Sequence, residues 1–217
     1  MHLVLGNKAY SSWSLRPWLL LRVAEIPFEE ITLAIGTPRF QEKIIHLSPN
    51  KRVPALIDGE LTVWDSLAIA EYLAERFPEK HLWPEGAAAR AHARSVSAEM
   101  HSSFAALREH MTMNVRRVFT KRAHHPAALE DAKRVIAIWE DCRSRYASTG
   151  PWLFGRFSIA DAMFAPVVTR FRTYGVELPE ASRHYADMVL QHEAMRDWYE
   201  LAHKETEIIE KYELLDE

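Results

Sequence analysis

One cysteine in 217 residues, Cys142, excludes an internal disulfide and any Cys-x-x-Cys redox pair. Glycine is scarce as well, and the 7 glycines are too scattered for a phosphate-cradling loop or a Gly-x-Ser-x-Gly elbow. The apolar runs are far shorter than a membrane span. Met1-His2-Leu3-Val4-Leu5-Gly6 has neither the basic start nor the long apolar stretch of a signal peptide, so a cytoplasmic location without membrane contact is expected. A net charge of −3 gives no electrostatic reason to expect nucleic acid. The 11 histidines show no His-Glu-x-x-His or Cys/His spacing, so no metal site is expected. Repeats and low-complexity tracts are lacking too. What is there, 48% hydrophobic and 26% charged residues, is the balance of a soluble globular chain able to bury a sizeable core.

The order of elements begins with a short buried strand over residues 2–5 and a polar link over 6–12. Leu15, Trp18, Leu19, Val23 and Ala24 then keep a helical period, Pro17 falls in the first turn, and Ile26-Pro27 ends the helix. Phe28 to Leu33 reads as a second strand, parallel to the first because a helix joins them. Thr37-Pro38 opens a short helix that ends near Ser48-Pro49.

The most informative stretch is 49–73. Two apolar runs flank Asp58-Gly59, a pair that suits a tight hairpin turn, and Asp65-Ser66 then opens a helix carrying Leu67, Ala70, Leu73 and Ala74. Free N–H groups and a positive dipole end at a helix start attract a carboxylate, Ser66 can donate to one, and Asp65 can accept from an ammonium. A ligand with an α-amino acid end fits that pair. Pro54 at the first residue of a strand leaves the Val53 backbone free to pair with something other than the sheet. Taken singly, both features are better explained by a helix cap and a strand start, since caps are common.

Ser48-Pro49-Asn50-Lys51-Arg52-Val53-Pro54-Ala55-Leu56 followed by Asp65-Ser66-Leu67-Ala68-Ile69-Ala70-Glu71-Tyr72-Leu73 resembles the glutathione-binding half of cytosolic glutathione S-transferases. The resemblance extends over essentially the whole chain. It implies an α/β thioredoxin-like N-terminal domain followed by an all-α C-terminal domain, with a cis Pro54, a Val53 backbone that pairs with the cysteinyl unit of glutathione, and a γ-glutamyl site at Asp65 and Ser66. Arg16, Arg39 and Arg52 would add contacts by analogy. Tyr10-Ser11-Ser12-Trp13-Ser14-Leu15-Arg16 is similar to the Ser-Ser-Cys-Ser-x-Arg signature of the zeta class, in which Ser11 matches the catalytic serine and Ser12 stands beside it. Trp13 departs from the class, which has cysteine there.

A serine at that helix start has enough energy available for the task. A thiol with an unperturbed pKa of ~8.5 needs a shift of about 2 units, or roughly 2.7 kcal/mol, to ionise at neutral pH. A hydrogen bond to a charged acceptor supplies roughly 1.5–3 kcal/mol and the helix dipole up to ~1. The serine would donate a hydrogen bond to the thiolate and attack nothing itself.

Phe77 to Gly86 carries two prolines and a glycine and reads as a linker, which gives domains at 1–78 and 87–217 joined by 79–86. The remainder reads helical: one long or broken stretch from Ala87 to about Arg122, another from Pro126 to Ser148, and a later one at 192–203. Ser158-Ile159-Ala160-Asp161 forms a capping box that the family also carries, for folding. Met100, Phe104, Leu107, Met111 and Val115 form a core stripe, and the resemblance suggests His101, Phe104, Arg108 and Met111, with Trp13, as the lining of an electrophile pocket. Arg116, Arg117, Lys121 and Arg122 read as a solvated helix end.

The resemblance therefore implies a detoxifying glutathione transferase acting on hydrophobic electrophiles, with glutathione as co-substrate, no permanently bound cofactor, and a homodimeric assembly. Trp13 points to a general transferase or glutathione-dependent peroxidase over a zeta-type maleylacetoacetate isomerase. The alternative class is a non-catalytic glutathione-binding or regulatory protein on the same fold.

Overall fold

The computed structural model describes residues 1–119 and 124–213. Four short strands, β1 (His2–Leu5), β2 (Glu29–Thr32), β3 (Ala55–Asp58) and β4 (Leu61–Trp64), form one sheet in the order β2-β1-β3-β4. β1 runs parallel to β2 and antiparallel to β3, and β3 pairs antiparallel with β4. Alternation along the strands sends Leu3, Leu5 and Leu56 to one face and Val4, Ala55 and Ile57 to the other. The first face is covered by α1 (Ser12–Val23) and α3 (Ser66–Arg76), through Leu15, Leu19, Ile69 and Leu73. The second is covered by α2 (Pro38–Leu47), through Phe40 and Ile44. A mixed sheet with helices on both sides is the thioredoxin-like arrangement expected of this segment.

The hairpin turn sits one residue later than the sequence suggests. Asp58 pairs with Leu61, so the two-residue turn is Gly59-Glu60, and Gly59 supplies the positive φ of 61° at its first position. The Asp58 carboxylate is then free to accept from the Tyr72 hydroxyl at 2.8 Å, which ties the hairpin to α3.

All remaining regular elements among the described residues are helical: α4 (Ala87–Ser102), α5 (Ala105–His110), α6 (Pro126–Tyr146), α7 (Ile159–Tyr174), α8 (Glu180–Gln191) and α9 (Glu193–His203), with short 3-10 turns. The stretch after Ala87 is broken, because Phe104 adopts left-handed backbone at φ 65° and separates α4 from α5. Its apolar stripe is buried as core all the same. Arg116 and Arg117 do not end a helix. They lie in irregular chain and bind Glu213, at 3.4 and 2.6 Å, so tertiary carboxylate contacts replace the helix-end role inferred from charge alone; Lys121 and Arg122 fall outside the described residues.

α7 is the axis of the helical half. Every residue in it except Arg172 is buried, and it packs against α1, α4 and α8. Its start is fixed by Asp161, whose carboxylate accepts from the Ser158 N–H at 2.9 Å, the Ser158 hydroxyl at 3.0 Å and the Leu153 N–H at 3.0 Å. No described helix is long and apolar enough to cross a membrane.

Candidate active site

Between the end of β1 and α1 the chain turns through Gly6 to Ser11, and the helix start is pinned there by hydroxyls. Ser11 is the N-cap: its Oγ accepts from the Ser14 N–H at 3.4 Å and donates to the Ser14 Oγ at 2.7 Å. The Gly6 N–H donates to the same Ser14 oxygen at 3.0 Å, locking the strand end to the helix. Ser12 is bound differently. Its Oγ accepts from Arg170 Nη2 at 3.1 Å, a contact across 158 residues of sequence, and no described acceptor takes its own proton.

These residues open onto a cavity of about 360 Å³. One wall is Tyr10, Ser11, Ser12 and Trp13; another is Lys51, Arg52 and Val53 with Ile35 and Phe40; the third, from the helical half and the C-terminal segment, is Arg108, Thr112, Met113, Arg170 and Tyr212. The Val53–Pro54 peptide is cis, and among the described backbone hydrogen bonds none uses the Val53 main chain. The structure thus gathers Ser11, Ser12, Trp13, Arg52, Val53 and Arg108 around one space.

The other residues singled out by sequence lie outside that lining. Pro54 is buried behind Val53, and Arg39 is exposed in the first turn of α2. Asp65, at φ 75°, caps α3 through its Oδ1, which accepts from Leu67 N at 2.8 Å and Ala68 N at 3.3 Å. Ser66 Oγ accepts from Arg16 Nη1 at 3.4 Å. Both stand one layer behind the cavity wall, linked to it by Arg16 and by His101, whose Nε2 is 3.2 Å from Asp65 Oδ2. Phe104 and Met111 are buried in the core, and Thr112 and Met113, just past the end of α5, line the cavity in place of Met111. His101 packs edge-on against the Trp13 indole at 5.3 Å.

Trp13 itself carries two guanidinium groups over its rings, Arg16 at 4.3 Å and Arg108 at 4.7 Å. With Arg170 they make a cationic cluster in which Arg16 and Arg170 are buried and Arg108 is partly so. Burial, and then the neighbouring Arg108 and Arg170, hold the Arg16 guanidinium well below its ordinary pKa. Burial followed by Arg108 brings Arg170 down to about 10, and burial lowers Arg108 as well. An arginine keeps its charge in a protein, so the cluster is cationic. Burial also lowers the His101 pKa, against the pull of Asp65.

Arg170, Lys51 and Tyr212 are site residues that sequence reasoning did not reach. For Arg170 a signal existed: a lone arginine among the apolar residues of 159–171 stands out from the helix around it. Tyr212 arrives through the C-terminal segment, which is strapped over the loop before α1. There Glu205 accepts from the Lys8 and Ala9 N–H groups at 2.5 and 2.9 Å, and Glu213 accepts from the Tyr10 hydroxyl at 2.5 Å.

Comparison with known proteins agrees with this geometry. Residues 10–76 match the family model "Glutathione S-transferase, N-terminal domain" and residues 122–201 match "Glutathione S-transferase, C-terminal domain". A maleylacetoacetate isomerase from Mus musculus is 30% identical over 172 residues, covering 77% of this chain and 76% of the relative. A stringent starvation protein A homologue from Haemophilus ducreyi is 25% identical over 75% of this chain and 72% of its own. Among solved structures, a glutathione transferase homologue from Burkholderia with bound glutathione superimposes with a TM-score of 0.71 at 24% identity, over 94% of this chain and 98% of that one. With both halves matched and a relative of that identity aligned over most of its length, the chain belongs to the glutathione S-transferase family.

Proposed function

We propose that the protein is a glutathione transferase in which the Ser12 hydroxyl donates a hydrogen bond to the glutathione thiolate. The observation that carries this is the arrangement of the two serines. The Ser11 hydroxyl is spent within the helix cap, whereas Ser12 accepts from a buried cation and keeps its proton available to the cavity. A donor polarised by a guanidinium, at a helix start and in a dry site, lowers the pKa of a thiol bound there. The sulfur then attacks the electrophile as thiolate, and no base is required.

The Val53 backbone on the facing wall would pair with the cysteinyl unit, and Lys51 and Arg52 would meet the glycyl carboxylate. The γ-glutamyl end would reach the start of α3 at Asp65 and Ser66, where Arg16 lies against Ser66. Asp65→Asn combined with Ser66→Ala is expected to weaken glutathione binding by about 1–3 kcal/mol in calorimetry. Unchanged affinity in that double variant would remove the γ-glutamyl assignment. Glutathione would act as co-substrate, with no permanent cofactor.

The role of Trp13 favours transfer over maleylacetoacetate isomerisation. Its indole, packed under Arg16 and Arg108, fills space beside the sulfur where the zeta-like signature has a small side chain. Turnover of aryl halides and of maleylacetoacetate on one preparation tests this. An isomerase kcat/KM well above the transferase value would reverse the assignment, and loss of both with glutathione still bound would favour the binding-protein class.

A cytoplasmic homodimer is part of the same proposal. Leu61 and Trp64, 49% and 43% exposed, place apolar surface on the edge strand β4, which a two-fold contact would cover. Sedimentation at micromolar concentration is expected to give twice the mass of one chain, and a monomer mass would refute it.

A further inference from the structure

Charge around the cavity is one-sided. Among the described residues its lining holds Lys51, Arg52, Arg108 and Arg170 and no carboxylate. Glutathione bound as proposed above uses Lys51 and Arg52, which immediately precede Val53. Arg108 and Arg170 stand on the opposite wall, on α5 and α7, Arg170 on the Ser12 hydroxyl and Arg108 over the neighbouring Trp13 indole.

Neither of these two guanidinium groups is matched by an anion. Arg170 donates to the Met111 carbonyl and to Ser12 Oγ, and Arg108 to the carbonyls of Ser103, at 3.1 Å, and Met100. Those partners are neutral, and no described carboxylate lies within ion-pair distance of either group. Arg170 is buried and Arg108 partly so, burial and then Arg108 lower the Arg170 pKa, Asp131 acts on Arg108 only from beyond ion-pair distance, and the two forks together form a site that an anion would stabilise. The flat forks of two arginines suit a carboxylate in particular. Tyr10, Met113 and Tyr212 beside them offer apolar and aromatic surface, with the two tyrosine rings 5.6 Å apart.

We propose that the electrophile has an apolar body bearing a carboxylate, the body lying against Tyr10, Met113 and Tyr212 and the carboxylate held by Arg108 and Arg170. This rests on the cavity being a glutathione transferase site, and it names the substrate class of that site. With an aryl halide the chemistry balances simply. The thiolate forms a carbon–sulfur bond at the carbon bearing the halogen, the carbon–halogen bond breaks with its electron pair leaving as halide, and the carboxylate remains an unreacting anchor.

A matched pair of aryl halides tests it: neutral 1-chloro-2,4-dinitrobenzene and anionic 4-chloro-3,5-dinitrobenzoate, each kcat/KM divided by the uncatalysed rate with glutathione in the same buffer. The parent protein is expected to favour the acid by about tenfold or more, as for a charge-assisted contact. Arg108→Gln and Arg170→Gln should each bring that ratio down toward one, and Arg108→Lys should recover part of it. Arg108, only partly buried, keeps the test valid if Arg170→Gln does not fold. A role in packing alone would lower both rates together and leave the ratio where it was, which would overturn the proposal. A parent ratio at or below one, with the neutral halide turned over, would overturn it too while leaving the transferase assignment standing. No turnover of either halide and no glutathione binding in calorimetry would overturn both.

Discussion

Ser12→Ala is expected to raise the pKa of bound glutathione by about one unit or more and to cut turnover near neutral pH at least tenfold, with the fold intact. The reasoning is local. An unperturbed thiol titrates at ~8.5, so a tenfold fall in the thiolate fraction follows from losing about 1.4 kcal/mol of stabilisation, which is the low end for a hydrogen bond to a charged acceptor. Ser12 makes no contact that a helix cap needs; its described partner is Arg170. Ser11→Ala should show the opposite balance. That change removes the oxygen that receives the Ser14 N–H and should cost about 0.5–2 kcal/mol of stability, with a smaller change in thiol pKa. Thiolate absorbance against pH in both variants, beside thermal melts, separates the two roles. If the thiol pKa moved in Ser11→Ala and stayed put in Ser12→Ala, the donor would be Ser11.

The second large effect concerns folding. Asp161→Ala should destabilise the protein by about 3 kcal/mol or more, because it strips acceptors from two buried N–H groups, at Ser158 and Leu153, each costing roughly 1–3 kcal/mol when unpaired. Asp161→Asn keeps one acceptor oxygen and should lose less. The comparison also has a pH dependence. Burial pushes the Asp161 carboxyl up to about 6, outweighing the hydrogen bonds that pull it down. A carboxyl whose folded pKa lies above its unfolded value favours folding when protonated. Its contribution is therefore complete below about 4 and is lost as pH rises through 6. The melting temperature gap between the parent and D161N should be widest in acid and narrow toward neutrality. A gap that widens with pH would mean that the hydrogen bonds outweigh burial.

Of the fold, what could be read directly was what short-range chemistry dictates. The period of Leu15, Trp18 and Leu19, the short apolar runs of β1 and β3, the glycine of the hairpin and the Ser158-Asp161 box each specify a local structure through contacts a few residues apart. Even the one-residue shift of the hairpin turn is a local matter, since only the pairing of Asp58 with Leu61 decided it. The two serines, Val53-Pro54 and Asp65-Ser66 were found the same way, because each sits at the end of a strand or helix whose boundary the sequence marks. Their convergence on one ligand was carried by likeness to a family.

The rest of the site had to wait for the tertiary structure. Arg170 reaches Ser12 from 158 residues away, Arg116 leaves its expected helix end to hold Glu205 and Glu213, and Tyr212 enters the cavity on a strap that no periodicity announces. The break between α4 and α5 falls at Phe104, a residue of ordinary helix-compatible type that the packed fold holds at positive φ. Sequence determines where an element starts and which of its faces is apolar, because those depend on neighbours along the chain. The partner of a long charged side chain depends on where packing brings a distant element, so the cationic character of this cavity was decided only when α5 and α7 closed against the start of α1.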